Sequence, residues 1–117
     1  MNEENLLVFL FGIFAERCNY PIKLVDFYRY LMKCAESNIL PLDERKRLLR
    51  AYSGNITWLG LVLDVLRQQG LFAPGGTEFA LSAQGSKRYH SVRSRVKRNA
   101  TALKRMADEV LAEAAAA

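Results

Sequence analysis

Residues 71–81 narrow this chain's choice of fold more than any other stretch. On either side of them apolar residues recur at helical spacing. Here Leu71-Phe72-Ala73 and Glu78-Phe79-Ala80-Leu81 flank Pro74-Gly75-Gly76-Thr77. Two short apolar stretches around such a turn predict a β-hairpin, with the glycines supplying the positive φ angles of a tight reversal. The expected class is therefore mainly α with a small β-hairpin.

The helices are read from periodicity and punctuation. A first helix is expected over about residues 5–17, where Leu6, Leu7, Phe9, Leu10, Ile13 and Phe14 cover more than half the circumference and call for burial. Asn19-Tyr20-Pro21 stops it, and a second helix is expected from about Pro21, which suits a first turn. Leu24, Phe27, Tyr28, Leu31 and Ala35 carry its apolar face, and Ser37-Asn38 and Pro41 mark its end. Leu42-Asp43-Glu44 opens a third helix reaching about Tyr52, with acids in its first turn and Arg50 near its last, as the helix dipole favours. Ser53-Gly54-Asn55 is a tight break. A fourth helix then spans about residues 56–69, closed by Gly70. Ser82 is a good N-cap for one long final helix over about residues 83–112, and the terminal alanines are expected to fray.

The 117 residues make one domain, with a helix-turn-helix and hairpin over about 41–82 and a long basic helix over about 83–113. The longest apolar run, residues 6–15, is too short to cross a bilayer. Glu3 and Glu4 stand where a secretory signal would be positive. A cytoplasmic protein with no membrane partner is expected. Cys18 and Cys34 match no metal spacing and read as reduced thiols near the core. With His90 as the sole histidine, no metal or cofactor is expected. There is no nucleophile elbow, no phosphate-cradling loop and no histidine among carboxylates, so the chain does not read as an enzyme.

Two local signatures carry a family resemblance. Leu66-Arg67-Gln68-Gln69-Gly70-Leu71-Phe72 looks like the passage from a recognition helix into a wing. Phe79-Ala80-Leu81-Ser82-Ala83-Gln84-Gly85 is similar to the "L-T-x-x-G" at a wing's exit. With the element order, these make residues 41–90 resemble the winged helix-turn-helix regulators of the MarR and PadR type. The resemblance implies a winged helix-turn-helix with an extra N-terminal helix and a long C-terminal helix. It also implies that the fourth helix lies in the major groove of double-stranded DNA. The outward positions would be Thr57, Gly60, Leu61, Asp64, Val65 and Gln68. This departs from the family's polar or basic pattern, since Leu61 and Val65 are apolar, Asp64 repels phosphate and Arg67 is the helix's sole cation. Trp58 is expected to be buried.

The net charge is +5, and eight of the seventeen cations fall in a stretch from Phe79 to Ala107 that contains no acid. A phosphate-binding stripe and a plainly solvated face both fit this pattern. On the first reading the nucleic-acid contacts are Arg45, Lys46, Arg47, Thr57, Arg67, Thr77, Lys87, Arg88, Arg93, Arg95, Lys97 and Arg98. The same helix carries a heptad seam: Tyr89, Val92, Val96, Asn99, Leu103, Met106 and Val110. It fits either a homodimer, the favoured reading, or packing on the first helix within one chain. Two functions stay open. One is a DNA-binding transcriptional regulator acting as a winged-helix dimer. The other is a winged-helix inhibitor or adaptor, for instance one of mobile-element origin, that meets an acidic protein partner with Leu61, Val65 and the basic stripe.

Overall fold

The apolar run near the N-terminus lies at the centre of the molecule. In the computed structural model, which describes residues 1–19, 21–96 and 99–116, helix α1 spans Glu3–Glu16, and residues 6–14 are all buried. Asn2 caps it, its side chain accepting from the Asn5 amide at 2.8 Å. A helix buried on every side needs partners on every side, and α1 packs against α2 (Leu24–Glu36), α5 (Ala83–Arg95) and α6 (Ala100–Ala116). Gly12 makes the approach of α5 possible, because a Cβ there would lie 2.1 Å from the Tyr89 ring. Aromatic side chains fill the surrounding space, with Phe14 stacked on Tyr30 and Phe11 set edge-on to Phe27 and Phe72.

The chain is mainly helical with a small antiparallel sheet. The elements run α1, β1 (Ile22–Lys23), α2, α3 (Leu42–Tyr52), α4 (Ile56–Gln68), β2 (Glu78–Phe79), α5 and α6. Helices α3 and α4 fall where caps and periodicity put them. Gly54 takes φ +70, and its amide donates to Tyr28 Oη at 2.7 Å. Asn55 then caps α4 through the Trp58 amide. Gly70, at φ +86, ends the α4 segment in the left-handed conformation that favours glycine.

The expected hairpin forms in reduced shape. Phe72 bridges Leu81, and the Ala73 amide donates to the Ala80 carbonyl at 2.8 Å. Its outer strand pairs with a segment that sequence had assigned to a helix: β1 is antiparallel to β2, with Ile22 opposite Phe79 and Lys23 opposite Glu78. Helix α2 therefore starts at Leu24 rather than near Pro21. Ile22 is buried in this pairing, and a ladder to a distant strand outweighs local helical preference.

The single long C-terminal helix is corrected to two. A continuous helix over residues 83–116 would be about 51 Å long at 1.5 Å per residue, while the longest extent of the folded chain is 36 Å. The chain folds back instead. Val96 leaves helical geometry, and Asn99 takes φ 65 while its Nδ2 donates to the Ile39 carbonyl at 2.8 Å. Folding back lets Leu103, Ala107 and Val110 reach the core, with the Tyr30 hydroxyl donating to the Leu103 carbonyl. Ion pairs fasten α6 outside: Arg17 to Asp108 at 2.8 Å, and Lys33 to Glu109 and Glu113.

This also corrects the dimerisation seam. Tyr89, Val92, Leu103 and Val110 are buried in their own chain's core, Val96 and Met106 pack against it, and Asn99 is spent on Ile39. The stripe closes within one molecule. Among the described residues, no helix is long and apolar enough to cross a membrane.

Candidate interaction surface on the fourth helix

Helix α4 is apolar on two faces. Leu59, Leu63 and Leu66 point into the core. At 100° per residue, Trp58, Leu61 and Val65 fall on the far side within an arc of about 60°. They are 47%, 53% and 49% exposed. An amphipathic helix in a finished domain has polar residues there. Thr57, Asp64 and Gln68 flank the strip and are exposed, while Gly60 turns inward against Leu24.

The expected burial of Trp58 is thus corrected. The leucines already fill the core side, and the indole lies outside the arc they occupy. The signal was present in the sequence, because Trp58, Leu61 and Val65 at steps of three and four make a second apolar face.

Arg67 is the clearest correction among the expected DNA contacts. Its guanidinium lies 4.2 Å over the Phe79 ring and donates to the Gly76 and Glu78 carbonyls at 3.2 and 2.9 Å. It also pairs with Asp64 at 3.2 Å. It is the clamp between α4 and the hairpin, with its side chain 16% exposed.

Three of the six described cations in the basic stretch are answered by acids from α1. Arg88 pairs with Glu4 at 3.3 Å, and Arg93 and Lys104 both reach Glu16. The Tyr89 hydroxyl donates to Glu16 as well. Burial by itself raises the Glu16 pKa, but the bonds from Tyr89 and Arg93 and the charges of Arg93 and Lys104 outweigh it and hold the carboxyl below its usual value. Arg45 donates to the Ala35 carbonyl, and Arg47 to that of Met1.

Of the remaining expected contacts, Lys46, Thr57, Thr77, Lys87 and Arg95 are exposed, Arg95 donating to Ser91 Oγ. Lys97 and Arg98 lie outside the described residues. The structure does not gather these side chains on one helix: they are spread over α3, α4, the hairpin and α5.

Cys34 is fully buried, and burial pushes its thiol up to about 12, which leaves it protonated and unreactive. Among the described residues, no three histidine, cysteine or carboxylate side chains are grouped to hold a metal. No protein-family model, no characterised protein and no solved structure matches this chain.

Proposed function

We propose that this chain is a winged helix-turn-helix module whose task is to hold a protein partner, with α4 as the binding helix. The winged-helix reading is supported by the three-residue connection between α3 and α4, the hairpin that follows α4 directly, and the pairing of β1 with its outer strand. The protein-binding reading rests on one observation: the Trp58–Leu61–Val65 strip stands exposed on the helix that, in a DNA-reading winged helix, would enter the groove. Asp64 is repelled by phosphate, and apolar side chains gain nothing from phosphate and can read little of a base edge beyond a thymine methyl. They gain by meeting apolar surface.

The test is covalent capture in the native cell, with a photo-crosslinking residue at Leu61 and a second copy of the experiment at Thr77. The reading expects a discrete protein adduct from position 61 that Trp58→Ala removes. Crosslinking of position 61 to DNA would overturn it, and so would the absence of any adduct.

A specific observation keeps DNA binding as a second reading. Lys46, Arg50, Lys87, Arg95 and Arg105 are exposed and have no acidic partner among the described residues. They suit sequence-independent contact with phosphates. Fluorescence anisotropy with a mixed duplex pool at two salt concentrations tests it. Lys87→Ala with Arg95→Ala then flattens the salt dependence by about two in slope, since each phosphate contact contributes about one. An unchanged slope removes the second reading.

A further inference from the structure

A cavity of about 460 Å³ opens on the side of the molecule where three elements meet: the start of α1, the connection from α2 into α3, and the junction of α5 with α6. Phe9, Leu40 and Leu103 form its floor, all of them buried core residues, and Ile39 and Val96 its sides. This is far more room than a few ordered waters fill, and it lies in the size range of small-molecule sites.

One charged side chain faces it. Glu44, in the first turn of α3, is the single buried charged residue among those described, at 9% exposure. Burying a carboxylate costs several kcal/mol unless a close partner offsets it. The helix N-terminus favours the charge here, and among the described residues no cation lies within hydrogen-bond distance of it. The charged neighbour is the Met1 ammonium at 3.9 Å from Oε2. That is about 1 Å beyond a charge-assisted hydrogen bond. The carboxylate lines the cavity and, with this ammonium beyond bonding distance, keeps acceptor capacity for a closer donor. Asn38 and Asn99 are the uncharged polar residues of the lining, and the Asn99 carboxamide is held against the Ile39 carbonyl as part of the wall.

We propose that this cavity binds a primary amine bearing an apolar tail. Glu44 takes the ammonium, and Phe9, Val96 and Leu103 enclose the tail. A carboxylate ligand would meet Glu44 as a like charge, and a neutral one would leave it with the Met1 ammonium at 3.9 Å as before. The walls come from elements far apart in sequence, so an occupant fastens the α5–α6 junction to α3. By linkage it stabilises the fold as its concentration exceeds its Kd. This inference is independent of the α4 surface, which lies on a different element.

The probe is 4-phenylbutylammonium, titrated into the full chain and followed by amide NMR shifts, with 4-phenylbutanoate and 4-phenylbutanol as matched analogues. The proposal expects saturable shifts centred on Ile39, Leu40, Glu44, Val96 and Asn99, and binding at least tenfold tighter than either analogue. Glu44→Gln weakens the amine at least tenfold and leaves the alcohol unchanged. Equal binding of the carboxylate overturns the proposal. So do shifts centred on Trp58 and Val65, or no saturation by the amine. If Glu44→Gln does not fold cooperatively, the ranking of the three probes on the unaltered chain decides the matter.

Discussion

Replacing Arg67 separates a structural clamp from a DNA contact. The guanidinium makes two charge-assisted bonds to the Gly76 and Glu78 carbonyls and stacks on Phe79. Bonds to a charged group are worth about 1.5–3 kcal/mol each and the cation–π contact about 0.5–1 kcal/mol. These contributions overlap, because all depend on one side-chain placement. The Asp64 pair adds little, since that carboxylate is half exposed. Arg67→Ala should therefore cost about 2–4 kcal/mol, a large share of the 5–15 kcal/mol expected of a small domain. Arg67→Lys should recover less than half, as an ammonium cannot bridge two carbonyls and lie flat on a ring at once. Urea denaturation followed by far-UV circular dichroism reads both. The loss should also reach β1, because Glu78 pairs with Lys23. A change of less than about 0.5 kcal/mol for Arg67→Ala, within the range of ordinary surface substitutions, would refute the clamp.

Three further outcomes follow from the packing. Leu61→Asp should leave the urea midpoint within about 0.5 kcal/mol of the original, whereas Leu63→Ala two residues on should cost about 2–5 kcal/mol; equal losses would show the strip to be core. Gly85→Ala places a Cβ 1.9 Å from the Leu71 carbonyl oxygen, which is backbone and cannot swing away. It should cost about 3 kcal/mol or more by thermal unfolding, and an unchanged midpoint would contradict the packing of α5 on Leu71 at the start of the hairpin. Glu16 has its folded pKa depressed below its ordinary value of 4.5. Its contribution is therefore present above that value and lost as pH falls through the folded pKa. Stability curves of the original chain and Glu16→Gln should be separated at pH about 7 and converge under acid; a gap that persists at low pH would mean the carboxylate's charge is not what matters.

Several elements of this fold are legible from local chemistry along the chain. Leu42 and Tyr52 bound a helix because acids, leucines and Arg50 fall in the order a helix favours. Asn55 and Gly70 bracket another, and the Pro-Gly-Gly turn sits in a hairpin. Each of these signals acts over a few residues, through capping, φ preference or the 3.6-residue period, and needs nothing from the rest of the chain. Even the outward direction of Leu61 and Val65 was legible, because the three leucines on the opposite face fix which side of α4 is buried.

Contacts between distant segments set the rest. Ile22 is extended because Phe79 lies opposite it. The basic stretch has no acid of its own, yet Glu16 stands 77 residues from Arg93 in the chain and beside it in space. The heptad from Tyr89 to Val110 is compatible with one long helix between two chains or with two helices folded on one. The folded-back form contains the core that Leu103, Ala107 and Val110 complete and the bond by which Asn99 closes the turn. Periodicity records which face of a segment must leave water; which surface receives it depends on partners far along the chain.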